Sequence, residues 1–232
     1  DSELVKQAEN HEKVKQAVAT LTKLKAQTGQ LPPAKDELLK KLTETSDILE
    51  KEIADFQKEH ADLLAKLIGQ IVNPDDGKFA ALASALAQNG VLLYVPKNVQ
   101  VEYPLHSVLW GPGGGLAHFS HLIVFVDNGA SVTYVHEAAS PNETGHALHA
   151  GVVELHVGEN ANLRFVELQS WGRHVWNFSH ERARVERGGN LDWIFGAIGS
   201  RLTKNFSDLD LAGEGAQGRM SGFYFTDGTQ HL

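Results

Sequence analysis

Gly129-Ala130-Ser131-Val132-Thr133-Tyr134 recurs three times with the same grammar: Asn160-Ala161-Asn162-Leu163-Arg164-Phe165, Gly188-Gly189-Asn190-Leu191-Asp192-Trp193 and Gly215-Ala216-Gln217-Gly218-Arg219-Met220. The leading positions Gly129, Asn160, Gly188 and Gly215 stand 31, 28 and 27 residues apart. Gly and Asn are the residues that accept positive φ at a sharp turn, so these four positions read as fold-defining turns. Each unit is then a strand, a turn, and a second strand closing on a bulky side chain. Strand-only units of about 30 residues that cannot bury a face alone are expected to stack, which predicts a parallel β-helix solenoid. The competing arrangement is an antiparallel sandwich of hairpins, but sandwiches rarely repeat one turn chemistry on four successive units.

Around this core the chain changes character. From Gly90 onward the apolar period is two, as in Val91-Leu92-Leu93-Tyr94-Val95 and Leu122-Ile123-Val124-Phe125-Val126. The first 72 residues hold two of the 22 glycines, one aromatic residue, and eleven lysines with no arginine. There Val14, Ala17, Leu21 and Leu24, and then Leu38, Leu42, Leu49, Ile53, Phe56, Leu63 and Leu67, recur at helical spacing. Gly29 is placed to cap the first helix and Pro32-Pro33 to open the second near Ala34, which predicts an antiparallel hairpin. A short third helix is expected over 78–88 on Phe79, Leu82, Ala83 and Leu86, ending at Asn89-Gly90. The fold expected is mainly β with an α-helical N-terminal region, 1–89, and a β-helix core, 90–232.

Composition narrows the functions. Lys and Arg total 21 against 29 Asp and Glu, a formal charge of −8, and no basic patch offsets it, so neither nucleic acid nor an acidic membrane is an expected partner. The longest apolar runs have five residues, far short of a bilayer span, and no charged-then-apolar leader opens the sequence, so a cytoplasmic location is expected. The absence of cysteine removes disulfides, thiolate nucleophiles and the Cys ligation that iron-sulfur clusters use.

Few motifs suggest chemistry. His118-x-x-His121 and His146-x-x-His149 have a metal-like look, but residues i and i+3 on a strand face opposite ways, so no metal site is expected from them. Gly111-Pro112-Gly113-Gly114-Gly115 lacks the following Lys-Ser/Thr and helix of a phosphate loop and reads as a flexible turn. No Gly-x-Ser-x-Gly elbow is present. A carbohydrate-binding or carbohydrate-active β-helix would use aromatics such as Trp171, Trp176, Trp193 and Tyr224 and paired carboxylates drawn from Glu154, Glu167 and Asp192.

Several ordered stretches resemble the SufB/SufD family of SUF-system iron-sulfur cluster assembly proteins. They run from His60 to Leu67 and through Asp75-Asp76-Gly77-Lys78-Phe79-Ala80-Ala81-Leu82 to Gly90–Val99 with Pro104-Leu105. They continue in Val126-Asp127-Asn128-Gly129-Ala130, Thr133-Tyr134-Val135, His149–Glu154, Gln169-Ser170-Trp171, Asn177 and Arg182-Ala183, then Trp193-Ile194, Gly199-Ser200, Leu211–Ala216 and Gln230-His231. The resemblance implies a right-handed parallel β-helix core with flanking helices, and a complex in which SufB and SufD cores pair while each holds a SufC ATPase.

Departures from the family pattern point to the paralogue. Ala150 stands after His149, where a cysteine can stand in SufB. Gln169 and Trp171 match the Gln-x-Trp pair associated with the SufB interior, but the basic residue expected before Arg182-Ala183 is Glu181. Ser221–Phe225 with Gln230-His231 looks closer to SufD. A SufD-like, non-catalytic subunit is therefore expected, with SufB-like and SufC-like partners. No cofactor is expected on this chain itself, and the iron-sulfur cluster and ATP enter only through those partners. In the family, the subunit interface and the SufC-binding helices lie downstream of the Gln230-His231 stretch. The sequence is thus expected to represent the N-terminal region and a truncated core whose last coil is an open edge, leaving a homodimer through that edge open.

Overall fold

Every alternating stretch after Asn89 forms a strand, and every strand pairs in parallel with the strand one coil away. The computed structural model describes residues 32–59, 61–87, 89–111 and 113–232, together with Ala19, Thr22, Lys23, Lys25 and Ala26. The described strands are β1 (Asn89–Val95), β2 (Leu105–Trp110), β3 (Ala117–Val126), β4 (Ser131–Ala139) and β5 (Ala147–Val157), then β6 (Asn162–Trp171), β7 (Val175–Val185), β8 (Asn190–Gly199), β9 (Leu202–Leu211) and β10 (Gln217–Phe225). Odd-numbered strands form one five-stranded sheet, β1-β3-β5-β7-β9, and even-numbered strands form the other. One strand from each sheet makes a coil, so the core is a parallel β-solenoid of five coils and not an antiparallel sandwich.

One corner of the solenoid is the repeated turn. Gly129, Asn160, Gly188 and Gly215 have φ of 69°, 54°, 63° and 71°, and Asn98, which the repeat reading missed, joins them at 61°. Each is the third residue of a turn closed by a backbone hydrogen bond, Val99 to Pro96, Ala130 to Asp127, Ala161 to Gly158, Gly189 to Glu186 and Ala216 to Gly213. The corners also stack. The N–H groups of Asn98, Gly129, Asn160 and Gly188 donate to the carbonyls of Asn128, Glu159, Arg187 and Glu214 in the next coil, at 2.8 to 3.0 Å. A Cβ on Gly188 would run into Asn160 Oδ1, and one on Gly129 into Asn98 Oδ1.

The opposite corner absorbs the differences in repeat length. It spans 111–116, 140–146, 172–174 and 200–201 in successive coils, and with these stretches set aside the coils agree to about one residue. The glycine run expected to be a flexible turn belongs here, with Pro112 outside the described residues. Gly114 N–H donates to Glu143 Oε2 at 2.7 Å and Gly115 N–H to the His146 carbonyl at 2.7 Å, so the run is tied down.

Between the sheets, register puts like beside like. Val95, Val126, Val157 and Val185 form one buried column, and Tyr134, Phe165 and Trp193 another. Fully burying each of these large side chains is worth about 2 kcal/mol. The fifth coil has no such cover, and Phe223, Tyr224 and Phe225 are more than half exposed.

By contacts the chain divides into two units, Asp1–Lys66 and Leu67–Leu232. In the first, α1 (Pro33–Glu59) opens with Pro33 at its first position and Asp36 in its first turn, both favourable there, and carries the pair Lys41–Glu37 at 2.9 Å. α2 (Ala61–Leu67) follows, and His60 between them lies outside the described residues. Val14, Ala17, Leu21, Leu24 and Gly29, on which the first helix and its cap were read, also lie outside them. In the second unit, α3 runs only from Lys78 to Leu86, and the expected helix-ending Asn89-Gly90 instead opens β1, paired with Ser120 and His121.

α3 packs on the outer face of the odd-numbered sheet, with Ala80 and Ala83 against Val152 and Phe79 stacked on Phe178 at 3.8 Å. Glu154 holds the preceding segment. Its carboxylate, 1% exposed, accepts the N–H groups of Gly69 (2.8 Å), Ile71 (2.7 Å) and Val72 (3.2 Å) and the His121 Nε2–H (2.6 Å). Next to it Arg182 donates to the Ile71 carbonyl (2.8 Å) and to Asp76 (2.9 Å). Burial alone raises the Glu154 pKa, but the hydrogen bonds from His121 and the three amides outweigh it and leave the group below its ordinary 4.5.

Both the stacked corner and the Glu154 clasp can be tested by substitution. Gly188→Ala combines a left-handed backbone with a collision and should cost about 2–3 kcal/mol in denaturant unfolding, against about 1 kcal/mol for Gly215→Ala, where only the backbone term acts, and the reverse order would contradict the stacked-corner account. Because the folded Glu154 pKa is depressed, its stabilisation is present above the ordinary carboxylate pKa and is lost as pH falls through the folded value. Glu154→Gln should therefore lower stability by about 2–4 kcal/mol at neutral pH, with the gap to wild type closing under acid.

Candidate functional site

The inside of the solenoid is apolar near the positive-φ corner and polar toward the opposite one. The change follows from which residues fall on the inward phase of each strand. On β7 the inward side chains are Val185 and Ala183, then Glu181, Ser179 and Asn177, and all five are buried. On β6 they are Leu163 and Phe165, then Glu167, Gln169 and Trp171.

The polar half is wired by hydrogen bonds from coil to coil. Ser120 Oγ bonds His149 Nε2 (2.9 Å), and His149 Nδ1–H donates to Asn177 Oδ1 (2.6 Å). Asn177 Nδ2 donates to Gln169 Oε1 (2.9 Å), Gln169 Nε2 donates to Thr203 Oγ1 (2.7 Å), and Thr203 shares a 3.0 Å bond with Ser200. A second group nearer the first coil joins Ser107 to the Tyr134 hydroxyl (2.5 Å) and His136 Nδ1 (2.8 Å). A third holds Glu181 between the hydroxyls of Ser179 (2.5 Å) and Ser207 (2.7 Å).

Burial sets the charge states. It lowers the pKa of His136 and of His149 to about 4 and pushes the Tyr134 phenol up to about 12, so at neutral pH these groups are uncharged. His118, whose pKa burial also lowers, stacks 5.8 Å from His149, and its Nε2 is the one buried side-chain polar atom without a partner among the described residues.

Gln169 and Trp171 thus lie side by side in the polar lumen. The Trp171 ring is 2% exposed, lies 4.9 Å from His149, and packs with Ala138, Ala147 and Val175. It lies so close to Gly111 that a side chain there would enter the ring. Of the histidine pairs, His118 faces inward and His121 outward onto Glu154, as strand geometry requires. Among the described residues no three His, Asp or Glu side chains converge as a metal site.

The residues of the carbohydrate reading do not converge. Glu154 is on the outside of the odd-numbered sheet, Glu167 is in the lumen, and Asp192 is on the outside of the even-numbered sheet between Arg164 (3.0 Å) and Arg219 (2.8 Å). Trp171 and Trp193 are buried, whereas Trp176 and Tyr224 reach the surface. The coil-to-coil hydrogen bonds, and the place of Asn177 at their centre, were missed. Only counting the inward phase along each strand and then aligning coils would have shown them.

No helix among the described residues is long and apolar enough to cross a membrane. The family profile described as "SUF system FeS cluster assembly, SufBD core domain" matches residues 110–232, and that described as "SufBD protein N-terminal region" matches residues 34–106. Iron-sulfur cluster assembly SufBD family proteins of Staphylococcus haemolyticus (strain JCSC1435) and Staphylococcus aureus (strain USA300) are each 34% identical to this chain over 180 residues, 78% of its length and 39% of theirs. The chain therefore spans well under half the length of the curated relatives it matches. Five parallel coils, the two profiles end to end and this level of identity together make the chain a member of the SufBD family of iron-sulfur cluster assembly proteins.

Proposed function

We propose that this chain belongs to a SufD-like subunit of a SUF iron-sulfur cluster assembly complex, a non-catalytic cytoplasmic partner to a cysteine-bearing SufB-like scaffold and a SufC-like ATPase. The observation that carries the reading is the absence of any thiol in the 232 residues, including the whole stretch matched to the family core. A nascent cluster needs thiolate or comparably strong ligands, and here the lumen offers hydrogen-bonded amides, hydroxyls, neutral imidazoles and two carboxyl groups. Glu181, standing where the family resemblance leads one to expect a cation, is held by two serine hydroxyls, which supports a lumen that packs rather than relays sulfur.

In this reading the solenoid is a rigid prop. Nucleotide binding at the SufC-like subunit shifts the paired cores, iron and sulfide are the cargo at the cores' interface, and this subunit supplies one wall.

The test is affinity purification of the full-length protein from its native cells, with mass spectrometry of the eluate and reconstitution by ferrous iron and sulfide. SufB-like and SufC-like subunits should co-elute, and acid-labile sulfide should follow the SufB-like chain. Cluster assembly on the isolated protein, or clear saccharide binding on a glycan array without such partners, would overturn the proposal. Since Gln169 faces inward, Gln169→Leu should cost about 1–3 kcal/mol by taking the acceptor from the Asn177 Nδ2–H and the donor from Thr203 Oγ1, while co-elution persists.

A further inference from the structure

The two sheets of the solenoid are covered unequally. Within Leu67–Leu232, α3 lies against β3, β5 and β7 of the odd-numbered sheet, and no described helix lies over the outer face of the even-numbered one. Parallel sheets ordinarily bury both faces, most often under helices. The outward side chains of the even-numbered sheet suit such a cover. Val135, Val166 and Ile194 stand in one register row, and Leu168 and Ile198 follow on β6 and β8. Leu168 and Ile198, with Val108 and Trp110 on β2, are each more than a third exposed. A Cβ on Gly196, the register neighbour of Leu168, would lie 3.3 Å from Leu168 Cδ2, so the leucine closes over the glycine and the patch is continuous. A continuous apolar area of this kind marks an interaction surface.

The charges at one end of the patch do not balance. Arg164 and Asp192 precede Val166 and Ile194 by two residues on the same face, and Arg164 Nε donates to Asp192 Oδ2 at 3.0 Å. Arg219 of β10 takes the other oxygen of the same carboxylate with Nε (2.9 Å) and Nη2 (2.8 Å). Two guanidinium groups thus share one carboxylate, whereas Arg182 and Arg184 on the odd-numbered sheet each meet two. The terminal nitrogens of Arg164 have no partner among the described residues, and both arginine side chains are more than half exposed. They stand in a groove of about 520 Å³ that Thr133, Asn162 and Asn190 also line, so side chains able to donate surround the surplus positive charge.

We propose that this face docks an α-helix of another protein, laid along the strands with apolar side chains on the Val166–Ile198 patch and carboxylates at the end that meets Arg164 and Arg219. From the row of Arg164 to the row of Ile198 is six residues of strand. That is about 20 Å, the length of a helix of about 13 residues. A second copy of this chain does not supply the missing charge. Among the described outward residues of this sheet the carboxylates are Asp192, already held by both arginines, and Glu137, 3.4 Å from His106. The inference is independent of whether the chain is SufD-like.

The test is photocross-linking of the full-length protein in its native cells, with p-benzoylphenylalanine placed at Ile198 or at Val108 and the joined peptides identified by mass spectrometry. The expected product joins either position to a segment of another protein with apolar residues at helical spacing and Asp or Glu at one end. Arg164→Gln with Arg219→Gln should lower its yield about tenfold, because the partner carboxylates lose their cations. Arg164→Lys with Arg219→Lys should retain most of it, which separates loss of charge from loss of fold, and circular dichroism of both double variants should match the wild type. Arg164→Glu should lower the yield as well, and an Asp or Glu to Arg change in the captured helix should restore it. Cross-links to the protein's own chain, to a second copy, to lipid or to a segment without carboxylates would overturn the proposal. So would a yield that the Gln variants leave unchanged, or no cross-link at either position.

Discussion

A chain that climbs one strand spacing per coil must turn back on itself twice in every coil, and each turn must leave room for the turn stacked directly on it. This requirement governs the structure. Neighbouring coils are about 4.8 Å apart, so side chains at the stacked corners compete with the backbone of the next coil. Asn98, Gly129, Asn160, Gly188 and Gly215 meet it with positive φ, and the amides of the first four reach into the following coil. With that column fixed, the strands leaving it are parallel, in register, and committed to one inward phase.

Phase then decides what the interior contains. Valine, leucine and aromatic columns fill the half next to the fixed corner, and the half next to the variable corner collects histidine, asparagine, glutamine, serine and glutamate. A polar lumen is tolerable only when its groups satisfy one another, because an unpaired buried donor or acceptor costs about 1–3 kcal/mol. The chain from Ser120 through His149, Asn177 and Gln169 to Thr203 meets that condition across successive coils. On the outside, Glu154 and Arg182 fasten the 69–76 segment by accepting its amides and donating to its carbonyl and carboxylate groups, which positions α3 on the sheet.

The repeat made the solenoid legible because Gly and Asn recur wherever positive φ is needed. Asn98 escaped because Val99 follows it where the other corners are followed by Ala or Gly, although it stands 31 residues before Gly129. Gln169 and Trp171 were legible as a pair only through the family resemblance, in which a Gln-x-Trp pair stands at this point. Their partners Asn177, Thr203 and His149 were not, since a hydrogen bond between coils joins positions whose separation depends on the length of the variable corner. Glu154 illustrates the same limit from the outside. Its role is fixed by amides more than 80 residues earlier, and nothing local to β5 announces them. The end of α3 was misplaced because Asn-Gly suits a helix stop as well as a strand start, and pairing with β3 decided between them.

The most direct test of the stacked coils uses the absence of native thiols. Asn162 and Asn190 are exposed register neighbours on β6 and β8, and paired cysteines there would have the Cα separation a disulfide accepts. Oxidation of the Asn162→Cys, Asn190→Cys double variant should close an intramolecular disulfide rapidly, whereas the pair Asn162→Cys, Ile198→Cys, whose positions lie at opposite ends of those strands, should stay reduced. Equal or reversed cross-linking of the two pairs would mean that the strands do not run parallel in this register.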